Sequence, residues 1–433
     1  MLNARCLPSP LRSAAGPRTF GVVQLGLRLC GREGYLRQVI SHSDDMREYW
    51  DQGFRQAEQL PGSFYDDQSK WPPILRAAHE RRIALLDSLP IGDVRDKVCV
   101  DFGVGRWGFA CIYPRLQACR MAIGFDISPQ ALRMSQRISR DGNFPYGDNY
   151  QYLVSRGDHL ELENASVDIF FAGESIEHVD HTEAFLDEVH RVLRTDGLFI
   201  LTTPNADAYF YRLRGERYCF NGEHISLMSY AELQTVLAPR FETLVAKGFN
   251  ASFFRLWDDR ITDPRLIEEW AAYFEDRPDM ATGVVVMTRK RADFRPAHYT
   301  HQYYHHSSPA FRYSGDWLTV PLFGPVTGAL GHPKYRSRVR LEFEGNGLLV
   351  QFWKHGWSGV AELEIDGTKS LVDLYSPVPG MYTVHLGGLS TKKHQVTLCA
   401  LDQAAPASNS REIIWHQMIA YRRELGVSPH RME

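Results

Sequence analysis

The run Val98-Cys-Val-Asp-Phe-Gly-Val-Gly-Arg-Trp-Gly-Phe109 is apolar up to Phe102, apart from Asp101, and then turns glycine-rich. A short apolar strand that ends in glycines and leads into a helical stretch marks the C-terminal edge of a buried parallel strand. That is where α/β sheets open a crevice for ligands. Gly103, Gly105 and Gly108 spell G-x-G-x-x-G, a pattern that dinucleotide-binding oxidoreductases also carry. Asp126, at the end of the next strand, suits either kind of fold, because an acid there accepts hydrogen bonds from ribose hydroxyls. It also opens Asp126-Ile-Ser-Pro129, so capping of the following helix is a second task for the same carboxylate.

Strand patterns continue on both sides of this run. Lys97–Phe102, Met121–Ile127, Tyr150–Arg156, Val167–Gly173 and Gly197–Thr203 alternate with helical patterns at Pro129–Arg140 and Thr182–Leu193. In the latter, Phe185, Val189 and Val192 share one face while Glu183, Asp187 and Glu188 take the other. Strands alternating with helices imply a parallel sheet covered on both faces. Two further strands, Phe241–Gly248 and Thr282–Lys290, flank a helix near Pro264–Phe274. Upstream, residues 46–89 read as a helical lead-in.

Asp101 stands two residues before the first glycine, and here the chain resembles motif I of class I S-adenosylmethionine-dependent methyltransferases. That family shows D-x-G-x-G-x-G; in this chain Trp107 takes the third glycine position and Gly108 follows it. The resemblance extends through Gly157-Asp-His159, Val167-Asp-Ile-Phe-Phe-Ala-Gly-Glu-Ser-Ile-Glu-His-Val179 and Leu193-Arg-Thr-Asp-Gly-Leu-Phe-Ile-Leu-Thr-Thr-Pro-Asn205. It covers residues 90–292 and implies a Rossmann-like seven-stranded sheet whose last pair of strands is antiparallel. The implied cofactor is S-adenosyl-L-methionine, bound by Asp101, Gly103, Gly105, Gly108, Asp126 and, at the adenine amino group, Asp158. The catalytic candidates are His178, His224 and Glu174, near the expected substrate cleft. A positioned histidine suits removal of a hydroxyl proton because its pKa lies near working pH. Packing against the next helix (His178) and ordering of a loop (His224) are the structural alternatives. No metal is expected, since the acid-rich cluster of catechol-type enzymes is not evident. His298, His301, His305 and His306, interleaved with tyrosines, read as a linker or domain contact.

Residues 293–316 read as that linker, and 317–425 as an all-β sandwich of short strands with turns such as Asp366-Gly367. Leu341–Leu348, Gly356–Val360, Glu364–Gly367 and Val372–Ser376 resemble the galactose-binding-like jelly rolls attached to glycan-active proteins. Trp353, Trp357 and Tyr375 are candidates for stacking on sugar faces, with burial of the two tryptophans as the alternative. Each half has its own apolar supply, so a cut near Arg295 is expected to leave folded pieces.

Together these readings predict a sugar or glycan O-methyltransferase with a small-molecule or glycan acceptor. Methylation of another small molecule or a lipid, with the sandwich serving assembly, is the runner-up. A non-catalytic cofactor binder and an NAD-dependent oxidoreductase stand further back. The formal net charge of −3 argues against a generally basic nucleic-acid binder. No apolar run reaches the roughly 18–20 residues of a membrane span. Seven dispersed cysteines suggest reduced thiols and a cytoplasmic location. Residues 1–45 read as a leader: Arg5, Arg12, Arg18, Arg28 and Arg32 precede any acid. That pattern suits a mitochondrial-type transit peptide, but a disordered leader, or an upstream start ahead of Met46, is the preferred reading. Oligomeric state is not readable.

Overall fold

Val98–Phe102 (β1) is buried at every position, as a central strand covered on both faces must be. The computed structural model describes residues 45–59, 73–105, 118–141, 150–213, 223–250 and 263–425. Around β1 lie β2 (Met121–Asp126), β3 (Tyr150–Val154), β4 (Val167–Gly173), β5 (Leu193–Pro204), β6 (Phe241–Phe249) and β7 (Gly283–Lys290). Their order is β3-β2-β1-β4-β5-β7-β6, with β7 antiparallel to both neighbours. This is the α/β sheet the sequence predicts, including its reversed final pair.

The helices are α1 (Asp45–Gln59), α2 (Pro73–Ser88), α3 (Pro129–Asp141), α4 (Thr182–Val192), α5 (Tyr209–Leu213), α6 (Tyr230–Leu237) and α7 (Pro264–Ala272). One face of the sheet packs Phe102, Phe170 and Phe199 against Phe185 and Val189 of α4. The other packs Cys99, Phe171 and Ile200 against Leu85 and Leu86 of α2. Burying each such side chain contributes about 1.5–3 kcal/mol, so the two layers fix the sheet and with it the crevice above β1 and β4.

The C-terminal half forms two antiparallel sheets. Their strands are β8 (Ala297–His305), β9 (Arg312–Ser314), β10 (Trp317–Phe323), β11 (Val326–Gly331), β12 (Arg338–Gly345), β13 (Gly347–Lys354), β14 (Val360–Ile365), β15 (Thr368–Asp373), β16 (Gly380–Leu386), β17 (Lys392–Ala400) and β18 (Ile413–Leu425). One sheet runs β10-β11-β18-β13-β16 with β8 also on β18; the other runs β15-β14-β17-β12-β9. Strict alternation along β12 turns Val339, Leu341 and Phe343 inward, where they meet Val350, Phe352 and Trp415 of the facing sheet.

Residues 293–316 differ from the linker expected there. They hold β8, which pairs with β18 from Ala297–Leu425 to His305–Gln417, and β9, which pairs with β12. Histidines and tyrosines alternate along β8, so the segment lacks the aliphatic signature of a strand, yet Ala297, Tyr299 and Tyr304 are buried. The described residues fall within one compact unit, Ser41–Glu433. Ala184 of α4 packs with Ala297, Tyr299, Leu349, Ile419 and Tyr421, so the seam between the halves is itself apolar. A cut near Arg295 strips that cover from α4, contrary to the separable halves expected from strand sets alone.

Polar groups tie the same seam. Asp187 of α4 is fully buried, pairs with Arg240 Nε and accepts the Ala297 N–H at 2.8 Å. Replacing Asp187 by Ala leaves the Arg240 guanidinium buried without its partner, so it should cost about 3–5 kcal/mol in urea unfolding. A loss below about 1 kcal/mol would show that water reaches the pair and that the seam is looser than described.

Candidate active site

Gly103 and Gly105 follow β1 with φ of +73° and +54°, a region that side-chain-bearing residues rarely enter. At Gly103 a Cβ would lie 2.2 Å from Ser175 Oγ, so the turn after β1 and the turn after β4 can only meet over a glycine. Ser175 Oγ donates to the Phe102 carbonyl at 3.0 Å and seals the contact. Gly103 and Val104 donate their N–H groups to the Phe125 carbonyl at 2.8 and 3.1 Å, which bends the chain over the end of β2. Gly108 and Trp107 lie outside the described residues.

Asp126, at the tip of β2, accepts the Gly105 N–H on Oδ2 at 2.9 Å and the Ser128 N–H on Oδ1 at 2.8 Å. Both tasks expected of it thus coincide in position: it holds the start of α3 and lines the cavity. Each oxygen keeps a lone pair for a hydroxyl donor. Burial lifts its carboxyl to about 6, against the pull of the two backbone N–H bonds. Asp101 is 1% exposed and its Oδ2 has no hydrogen-bond partner among the described residues. Burial, reinforced by the nearby Asp126, pushes its carboxyl up to about 8. An orphaned buried carboxylate oxygen beside a glycine turn fits the ammonium of an amino-acid moiety, and Asp126 fits a ribose. The described residues therefore suit S-adenosylmethionine.

The cavity is walled by Phe102, Gly103, Asp126, Arg156, Glu174 and His178, and Trp50 and Phe54 of α1 cover it. α1 is held there because Ser128 Oγ and, at 3.2 Å, the Gln130 N–H donate to Asp51 Oδ1, so a side chain of α1 caps α3. Asp158, expected at the adenine amino group, already has protein partners. It is absent from this wall, and β8 claims it: Oδ2 lies 3.0 Å from His301 Nδ1 and accepts the Tyr303 hydroxyl at 3.3 Å. Burial pushes its carboxyl up, but the His301, Arg156 and Tyr303 contacts outweigh that and hold it below the usual range. His301 is also 2.9 Å from His181 Nδ1, so this histidine belongs to the domain contact that the sequence allows.

Of the three catalytic candidates, Glu174 and His178 line the cavity, and the His224 ring lies 4.9 Å from that of His178. Glu174 has φ +49°, an outlier for a residue with a side chain, and its backbone N–H donates to the Thr202 carbonyl at 2.8 Å. Its Oε1 sits 3.5 Å from Arg82. His178 closes the 3-10 turn Ile176–His178 and places Nδ1 3.0 Å from the Glu223 carbonyl. A carbonyl only accepts, so Nδ1 carries the proton and Nε2 is left with its lone pair. Burial holds this imidazole near 4, and burial with the His178 neighbour holds His224 near 3, so both are neutral at pH 7. Their rings meet edge to face at 4.9 Å.

Sequence reasoning passed over Glu177, although it stands beside His178 in the quoted run. It is 1% exposed, accepts the Thr203 hydroxyl at 2.9 Å, and burial followed by the Glu174 charge raises its carboxyl well above the usual range. Among the described residues two groups could ligate a metal: Glu177 with His178 and His224, and His181 with Glu183 and His385, in each case with donor atoms within 4.8 Å.

A family model described as a methyltransferase domain matches residues 100–201, the span from β1 through β5. No curated protein matches the chain. Among solved structures, the methyltransferase complexed with the Haloferax volcanii Trm112 activator shares 16% identity over 57% of this chain and 99% of its own, at TM-score 0.39. A SAM-dependent methyltransferase from Thermotoga maritima gives 17%, 57%, 100% and 0.37. One from Mesorhizobium loti gives 17%, 49%, 97% and 0.35. The family match over residues 100–201 and the sheet order with its reversed β7 agree on one fold, the seven-stranded Rossmann-like sheet typical of methyltransferase domains.

Proposed function

We propose that the protein O-methylates a sugar or glycan precursor, with S-adenosyl-L-methionine held by Asp101, Gly103, Gly105 and Asp126. The observation that carries this reading is the junction of two cavities. His178 lines the cofactor cavity, His224 lines a second cavity of about 520 Å³, and Asp180 and Ile225 line both. The second cavity runs between the α/β half and the sandwich, where Tyr375, Tyr382 and Lys354 form its far wall. Aromatic faces beside a cationic side chain suit a hydroxyl-rich, partly anionic acceptor such as a nucleotide sugar. Of the other stacking candidates, Trp357 is 56% exposed on the sandwich surface and Trp353 packs against Phe323.

When bound, the sulfonium supplies an electrophilic methyl group. The acceptor oxygen forms the O–CH3 bond as the S–CH3 bond breaks and its electron pair stays on sulfur. The hydroxyl proton is lost at the His178–His224 pair, which lies at the junction and is neutral at pH 7. Holding acceptor and methyl in line supplies much of the rate enhancement, and α1 excludes water from that line.

Asp101 gives the cofactor assignment a pH signature. Its carboxyl, near 8, is protonated at pH 7 and must ionise to receive an ammonium. Calorimetry in buffers of different ionisation enthalpy should therefore show proton release on binding of S-adenosylhomocysteine. Affinity should rise roughly tenfold per pH unit up to that value. PH-independent affinity with no proton release would remove Asp101 from the ammonium site. Asp126→Ala should weaken binding by about 1–3 kcal/mol; unchanged affinity would leave it a helix cap only.

For the acceptor, release of S-adenosylhomocysteine should be seen against some member of a panel of nucleotide sugars and oligosaccharides. Tyr382→Ala should then raise KM several-fold with kcat nearly kept. Turnover only on lipids or aromatic alcohols, indifferent to Tyr382, would favour the sandwich as an assembly domain.

A further inference from the structure

Among the described residues, the only ion-pair neighbour of the buried Glu177 is His178, whose Nε2 lies 3.8 Å from Oε1. A carboxyl buried in this way is held neutral unless a cation comes against it. Oε2 is occupied by the Thr203 hydroxyl, so the open side of the group is the one turned toward His178. His178 is itself oriented from behind, because its Nδ1–H is spent on the Glu223 carbonyl. The loop that brings His224 is fastened to the same turn: the Ser226 N–H donates to the Glu177 carbonyl at 2.9 Å, and Ser226 Oγ donates to the Val179 carbonyl at 2.7 Å.

We propose that Glu177, His178 and His224 bind a divalent first-row transition cation, and that the acceptor hydroxyl joins it as a further ligand. Three donors sharing one cation on bonds of about 2.0–2.2 Å stand no more than about 3.8 Å from one another. Glu177 Oε1 and His178 Nε2 are already 3.8 Å apart and all three atoms lie within 4.8 Å, so side-chain shifts on the order of 1 Å close the shell. Two imidazoles and one carboxylate favour a transition cation over calcium or magnesium. Three protein ligands leave positions open, as a working metal centre requires. The Thr203 hydroxyl on Glu177 and the Glu223 carbonyl on His178 are the outer hydrogen bonds that fix such ligands.

The chemistry deepens the methyltransferase reading and rests on it, whereas the binding does not. A hydroxyl oxygen on the cation is more acidic, so it releases its proton to solvent water near neutral pH. Its freed pair forms the O–CH3 bond while the S–CH3 bond breaks with its electrons going to sulfur. No oxidant or reductant takes part. In this scheme His178 and His224 act on the proton through the cation. Their proximity to each other, at 4.9 Å between neutral rings, is then a ligand geometry.

The test uses the full-length chain, stripped with EDTA and dialysed, then titrated with Mn²⁺ while electron paramagnetic resonance follows the free ion. S-adenosylhomocysteine binding is measured on the same samples. One Mn²⁺ per chain should bind, and Zn²⁺ should displace it. Glu177→Gln and His224→Asn should each weaken Mn²⁺ at least tenfold and keep S-adenosylhomocysteine affinity within about twofold. His385→Ala, in the second cluster, should leave Mn²⁺ affinity unchanged. Absence of saturable Mn²⁺ binding, or equal affinity in the Glu177 and His224 variants, overturns the proposal. Loss of Mn²⁺ binding in His385→Ala alone would do the same. A wild-type chain that binds Mn²⁺ but not S-adenosylhomocysteine would instead overturn the cofactor reading and leave the metal site standing.

Discussion

Two neighbouring parallel strands end in turns that touch, and the contact admits no side chain on one of them. Ser175 Oγ, after β4, occupies the volume that a Cβ at Gly103 would need, and bonds to the carbonyl at the end of β1. Because packing on both faces fixes the strands, this contact fixes the crevice above them. Asp101 ends up beside it with an oxygen that none of the described residues satisfies, and Glu174 is held in a left-handed conformation next to Ser175. The 3-10 turn that follows delivers Glu177 and His178. The candidate binding groups at the end of β1 and the candidate reacting groups after β4 thus share one hinge of backbone geometry.

The roof and the far wall of the site depend on the C-terminal sheets. α1 carries Trp50 to an edge-on contact with His178 at 5.2 Å, Asp51 to the start of α3, and Tyr49 to Phe323 of β10, also at 5.2 Å. On the other side, Gln351 of β13 donates to Asp180 at 2.9 Å and Thr383 of β16 donates to the Ile225 carbonyl at 2.9 Å. Asp180 and Ile225 are the residues shared by both cavities. The sandwich therefore holds the residues at the junction of the two cavities, which gives a physical reason for the two halves to occur in one chain.

The sequence made the α/β half legible because its signals are local. Continuous apolar strands and the Asp101-x-Gly-x-Gly turn each need only a few neighbouring residues, whereas the reversed final pair came only with the resemblance to the methyltransferase fold. β8 was not legible, since His and Tyr fill positions that aliphatic residues usually take. The fate of Asp158 followed from that gap: its partner His301 is distant in sequence, and no local pattern announces the contact. Glu177 was visible in the sequence but lacked a reason to matter until the fold buried it and brought His224 beside the same turn. Asp51 had no signal at all, because capping of α3 by a side chain of α1 is a tertiary event.

Equilibrium dialysis of the full-length chain with labelled S-adenosylmethionine, with NAD as competitor, tests the central claim most directly. The account requires saturable binding of one S-adenosylmethionine per chain, insensitive to NAD and abolished by Gly103→Val, whose side chain would collide with Ser175. Absence of binding, or displacement by NAD, would contradict it.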